Sequence, residues 1–344
     1  MEPLICPEPL RKGDGIGVFT PSSPAYTINP GLFDNGVKNL EALGFRVHLG
    51  ELTQKRASEG YRSACGESRA KEFMGLIADP SVRCLISTIG GQNSSSMIPF
   101  LDFEAIRKSR KIICGFSDVT SLHLSILHYA QLRTFYGPSV MCWFGEWPDG
   151  IQESTNSFLQ ATMMHRSGER EVRPFSLWSN HRRRWDNGEW QTVERIWQPN
   201  SGWTILSEGT QEAPLLAFNL NTLMSAAGTA YFPNLDGVIL LLEEMDAPLG
   251  REERHFRHLD LLGVFDRIGG LIVSKPENYS QSGAPFGYDT LIQEIVGPRE
   301  YPIITNFDCG HTVPMETIPQ GITARLQADR LLGSRLIFLE SAFG

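Results

Sequence analysis

Residues 111–120 read Lys-Ile-Ile-Cys-Gly-Phe-Ser-Asp-Val-Thr. A run with the composition of a buried strand ends at Gly115, and Ser117 opens a helical pattern. In the following stretch, DVTSLHLSILHYAQL, Val119, Leu122, Ile126 and Tyr129 recur at helical spacing and predict one helix. Strand, sharp turn and helix in that order form the repeating unit of a parallel α/β sheet. Ser117 at the turn has two readings. It or Asp118 can simply cap the helix, and the segment alone favours that. Ser117 can also be a nucleophile, held where helix N-terminal amides face a developing oxyanion. The G-x-S-x-G elbow is not matched, because Val119 stands where its second glycine would be.

The same alternation extends outward in both directions. GIGVFTPSS (15–23) reads as a strand running into a loop. Residues 30–43 carry Leu32, Val37, Leu40 and Leu43 at helical spacing, and FRVHLG (45–50) is the next strand. SRAKEFMGLIAD (68–79) is an amphipathic helix with Phe73, Leu76 and Ile77 on one face, and VRCLISTIGG (82–91) is a strand ending in a Gly pair. Ligands of such sheets bind at the C-terminal ends of the strands, where the Gly90-Gly91 and Ser117 segments fall. All seven tryptophans lie between 143 and 203, in a stretch without a long apolar period. It reads as a connection with hairpin-like strands, one hairpin turning at Asp186-Asn187-Gly188. From about 204 a second α/β unit begins. Helices are predicted in NLNTLMSAAG, REERHFRHLDLLGVF and YDTLIQEIVG; strands in GVILLLEE, IGGLIVSK and YPIITNFDCGH; and two closing strands in 321–340. The division expected is 1–165, a Trp-rich connection over 166–205, and 206–344.

The 344 residues suggest two domains, and 41% hydrophobic with 20% charged residues is ordinary globular composition. A net charge of −8 without a broad basic stripe argues against nucleic acid as partner. His181-Arg182-Arg183-Arg184 is short and reads as a solvated loop, with ligand binding as the minority reading. Six scattered cysteines without C-x-x-C spacing point to reduced thiols in a cytoplasmic protein. The opening MEPLICPEPL is not a signal peptide, and no apolar run is long enough to span a membrane.

A nucleophilic serine needs a base and a carboxylate to orient it. Among eight histidines, His123 and His128 read as packing or surface residues, and His255 and His258 as a solvated helix face. His311 sits in a loop just past an apolar strand, and is either a functional residue or a satisfied turn residue. Glu243 ends the apolar run Val238–Leu242, where a carboxylate needs a partner; a solvent-facing acid is the alternative, and fits Glu244 equally. Cys309 and His311 do not make a zinc site, since no second ligand pair has the spacing. No phosphate-binding glycine motif follows a strand, which disfavours nucleotide-dependent phosphoryl transfer.

Five segments, GDGIGVFTPSSPA (13–25), the run 60–103 ending in STIGGQNSSSMIPFLDF, GFSDVT (115–120), LLLEE (240–244) and DCGHT (308–312), together resemble the LD-carboxypeptidase family of serine peptidases, most of all its microcin C self-immunity branch. The resemblance runs across nearly the whole chain and is weakest between about 145 and 210. It implies an N-terminal glutamine-amidotransferase-like α/β domain with a parallel sheet and a C-terminal mixed β/α domain, usually in a homodimer, with no metal and no cofactor. It implies Ser117 as nucleophile, His311 as general base and Glu243 as the orienting acid. The backbone amides of Gly91 and Asp118 would form the oxyanion hole. Substrate contacts are expected from Gly90, Asn219, Trp185 and Trp178, with Trp190 a further stacking candidate. The substrate implied is a peptidyl- or aspartyl-nucleotide of the microcin type, detoxified by hydrolysis. Two alternatives stand beside it: a murein tetrapeptide cleaved in wall recycling, and a non-catalytic binding protein that reuses the fold. This chain departs from the family pattern in two places. The family's GGNL appears as Ala217-Phe218-Asn219-Leu220, and 244–274 holds no lysine, with Arg251 and Arg254 as the basic residues that could substitute.

Overall fold

The computed structural model describes residues 3–163 and 168–343. Two sheets organise it. The first has six strands in the order Ile318–Pro319, Phe135–Tyr136, Ile112–Gly115, Val82–Ser87, Gly15–Phe19, Arg46–Leu49. All its pairings are parallel except the first, which is antiparallel. Gly15–Phe19 and Ile112–Gly115 are buried on both faces, which is why they read as continuous apolar runs. The second sheet has eight strands, and its centre is the parallel set Gly209–Asn219, Ile239–Glu243, Gly270–Ser274 and Ile303–Phe307. Antiparallel strands flank that set, including Ile322–Asp329 and Gly333–Phe338.

Two strands cross the division expected from sequence. Ile318–Pro319, late in the chain, closes an edge of the first sheet. Arg170–Val172, in the expected connection, pairs with Gly333–Phe338 at an edge of the second.

The helices over Pro30–Ala42, Gly66–Ala78, Leu249–Leu261 and Tyr288–Val296 lie where periodicity puts them, with Leu32, Leu40, Phe73, Leu76 and Ile77 buried. The single helix expected after Ser117 is a composite: a 3₁₀ turn, an α segment Thr120–Ser125, and a wider π turn Ile126–Ala130. The π turn changes the angular step per residue, so Tyr129 leaves the apolar line and is 44% exposed.

The Trp-rich region differs from its sequence reading. The hairpin at Asp186–Gly188 does not form. Gly188, at φ +81°, starts a short helix Glu189–Thr192 instead, while Leu177–Trp178 pairs with Gln198–Pro199 around the excursion. A helix not foreseen covers Gln152–Met163. Its buried face is mostly Ser154, Thr155, Ser157 and Thr162, which carry no apolar period. Ser154 Oγ accepts the Met315 N–H and Ser157 Oγ that of Thr317, so this polar face ties down the strand that closes the first sheet.

Candidate active site

The strand Ile112–Gly115 ends against the second sheet, and the chain turns sharply through Phe116 and Ser117. Ser117 has φ +60°, a left-handed conformation that costs a non-glycine residue energy and persists only where neighbours impose it. Tyr136, on the adjacent strand, imposes it: its hydroxyl accepts the Ser117 N–H at 3.0 Å. The hydroxyl group of Ser117 is thereby aimed at His311, with Oγ 3.2 Å from Nε2. His311 Nδ1 lies 2.7 Å from Glu243 Oε2. A carboxylate can only accept, so the proton sits on Nδ1 and Nε2 is free to accept from Ser117. The three groups come from three strand ends in two sheets.

Glu243 is fully committed. Its second oxygen accepts from the Tyr136 hydroxyl and from Asn219 Nδ2 at 3.1 Å. Tyr136 therefore holds both ends of the relay. Burial, then the Glu243 charge, pushes its phenol pKa well above the ordinary value, so it stays a donor. Glycine is required at 310, where φ is +113° and a side chain would run into the Glu243 carboxylate. Burial draws the His311 pKa down, but the carboxylates of Glu243, Glu277 and Glu244 outweigh it, and the net direction is up.

Facing Ser117 is the loop of Gly90 and Gly91. A Cβ on Gly90 would lie 3.1 Å from Ser117 Oγ and 3.4 Å from the Asp118 nitrogen, so the loop passes directly over the Ser117 hydroxyl. Among the described residues, neither the Gly91 nor the Asp118 N–H has a protein acceptor. The Asp118 side chain fixes their spacing: Oδ2 accepts the N–H groups of Asn93 and Ser94, both at 2.9 Å. Arg69, buried beneath, holds Asn93 Oδ1 and Ser96 Oγ at 2.6 Å each. Serine, imidazole, oriented carboxylate and two free amides make up what serine acyl transfer needs.

These groups open into a cavity of about 710 Å³. Gly90, Gly91 and Trp185 line it, beside Tyr61, Phe116 and Trp143. Trp178 is elsewhere, its ring packed over Lys275 at 5.5 Å. Trp190 is buried against Trp147 in the first domain's core. Asn219 also stays off the cavity wall: it caps the helix Leu220–Ser225 and donates to Glu243 and Glu244. The basic run expected as a solvated loop contributes His181, Arg182 and Arg183 to the wall. Arg183 is buried there with Arg195 against Glu146, a partner far away in sequence. His123 packs in the core as read, bonded to Thr134 and to the Gly115 carbonyl. His255 is half-buried, not solvated, and with Glu244 and Glu252 makes the one grouping of metal-ligand type found among the described residues. Arg251 lies 3.6 Å from Glu244 and 3.5 Å from Glu252, so a guanidinium already supplies positive charge there. Tyr136, the Asp118 carboxylate and Arg69 were not foreseen, and nothing in their local sequence marks them. All six cysteines are free, and no helix among the described residues is long and apolar enough to cross a membrane.

The fold and site define a two-domain α/β protein of the serine hydrolase type. Residues 16–137 match the LD-carboxypeptidase N-terminal domain and residues 212–326 the C-terminal domain. The microcin C7 self-immunity protein MccF of Escherichia coli is 34% identical over 328 residues, covering 95% of this chain and 94% of that protein. A solved structure of MccF in complex with aspartyl sulfamoyl adenosine superposes with a TM-score of 0.93 at 31% identity, covering 99% of this chain and all of that one. An MccF-like protein of Bacillus anthracis reaches a TM-score of 0.85 at 29% identity over 97% and 99% of the two chains. The chain belongs to the LD-carboxypeptidase family of serine peptidases.

Proposed function

We propose that this chain is a serine hydrolase that detoxifies microcin-type conjugates by cleaving the bond between an aspartyl or peptidyl group and a nucleotide-like leaving group. The observation that carries this reading is the unbroken path from Ser117 through His311 to Glu243, opening on a cavity whose wall includes Trp185. His311 takes the Ser117 proton as Oγ adds to the carbonyl carbon, and the Gly91 and Asp118 amides hold the resulting oxyanion. His311 then gives the proton to the leaving nitrogen as the C–N bond breaks, and water attacks the acyl-serine by the same route in reverse. Glu243 keeps the imidazole in the required tautomer. An indole on the cavity wall offers a base a face to stack on. The nucleoside complex of the related MccF supports the same class of ligand. We extend the reading to a homodimer in the cytoplasm, built as 1–165, 166–205 and 206–344.

The test is mass spectrometry of aspartyl sulfamoyl adenosine incubated with the protein and with Ser117→Ala. Release of aspartate by the wild type alone is expected, with activity lost by at least about 10³-fold in the variant. Equal release by both removes the serine mechanism. No release by either, with cleavage of a murein tetrapeptide, moves the function to wall recycling.

A further inference from the structure

The charged groups on the cavity wall are nearly all matched within the protein. Glu146 is shared by Arg183 and Arg195, Arg182 lies 3.7 Å from Asp246, and His311 is held by Glu243. His181 accepts the Ile196 N–H through Nδ1. Glu277 is the exception.

It lies three residues past the strand Gly270–Ser274, and its own N–H donates to the Glu244 carbonyl at 3.2 Å, which fixes it beside the strand end that carries Glu243. The residue is 5% exposed and lines the same cavity as Ser117 and His311. Its Oε2 is buried without a hydrogen-bond partner, and among the described residues no side chain donates to either oxygen. The lysine two positions earlier does not relieve it, because Lys275 Nζ is spent on Asp308 and on the Asn306 carbonyl. A desolvated carboxylate with no donor is costly to keep in a folded protein, and such groups collect where a ligand completes them.

We propose that Glu277 is a specificity-determining residue whose carboxylate receives a hydrogen-bond donor of the substrate, a protonated amine or a pair of hydroxyls, and holds it beside His311. This rests on the hydrolase reading above. On such a substrate, the donor is either the amine of the acyl residue or the sugar diol of the leaving group. Burial raises the Glu277 pKa, against the opposing charges of His311 and Arg182. A bound cation or hydroxyl pair replaces the missing solvation.

The test is Glu277→Gln in the full chain, with three readouts. First, kcat/KM is measured for an aminoacyl sulfamoyl adenosine, its desamino analogue and its 2′,3′-dideoxy analogue. The variant is expected to lose tenfold or more on the parent, mainly through KM, and to match the wild type on the analogue that lacks the recognised donor. Equal behaviour on the desamino compound assigns the amine, and on the dideoxy compound the diol. The same loss on all three overturns the proposal. Second, removing this negative charge lowers the proton affinity of His311, so the acid limb of the kcat/KM profile moves to lower pH. An unmoved limb counts against the proposal. Third, the ligand-free variant is expected to melt at the same temperature as wild type or higher, since an unpartnered buried charge has been removed. A lower melting temperature makes Glu277 a structural residue and overturns the proposal. That readout needs no substrate, so it stands even if wild type leaves every nucleotide conjugate intact and the hydrolase reading of the previous section fails.

Discussion

Tyr136→Phe removes one oxygen atom and breaks the relay at both ends. In the wild type that hydroxyl accepts the Ser117 N–H at 3.0 Å and donates to Glu243. Without it the Ser117 amide loses its acceptor at a part-buried site, which costs up to about 1–3 kcal/mol. Glu243 keeps Asn219 on the same oxygen but loses a charge-assisted bond of about 1.5–3 kcal/mol. Part of that cost falls on stability and part on the reaction. The strained turn at φ +60° is no longer held, so Oγ drifts from Nε2. We expect kcat to fall about 10- to 100-fold, equivalent to about 1.4–2.7 kcal/mol of barrier, with KM little changed. A sign follows for pH. A carboxylate that has lost a donor holds the imidazolium more strongly, so the acid limb of kcat/KM moves to higher pH. Steady-state kinetics across pH, with urea unfolding alongside, measures all three. Wild-type kcat with an unmoved acid limb would refute the claim that Tyr136 positions the serine.

Three further predictions address the rest of the site. Asp118→Ala orphans the N–H groups of Asn93 and Ser94 and frees the loop carrying Gly91, so kcat falls about 10²–10³-fold, as when one oxyanion donor is lost; pre-steady-state acylation rates check it. Because the His311 pKa is raised and the imidazole must be neutral to accept a proton, activity is full at high pH and is lost as pH falls through a midpoint above the ordinary imidazole value; a limb at or below that value contradicts the electrostatics. Trp185→Ala raises KM for an adenosine conjugate about 5- to 150-fold, from about 1–3 kcal/mol of stacking, and leaves a tetrapeptide substrate unaffected, which parallel kinetics on the two substrates will show.

The α/β alternation, most helices and the strand ends at Ser117, Glu243 and His311 were all legible in the chain. Buried parallel strands must be continuously apolar and amphipathic helices must repeat at their own period, so local sequence carries both signals. The sequence read poorly where polar residues do the packing. The helix Gln152–Met163 buries serines and threonines bonded to a distant strand, and Arg183 is buried by Glu146 across 37 positions. The Asp-Asn-Gly turn was overridden because the surrounding strands, Leu177–Trp178 and Gln198–Pro199, pair outside it. Tyr136 is the clearest case: in the sequence it is one more aromatic, yet it joins Ser117 to Glu243. Composition and period therefore determined the class of fold and the strand ends available for chemistry. Only the packing of two sheets against each other decided which groups meet there. A hydrogen bond needs atoms within about 3 Å, and residues 68 to 194 positions apart come that close only when the whole chain has folded.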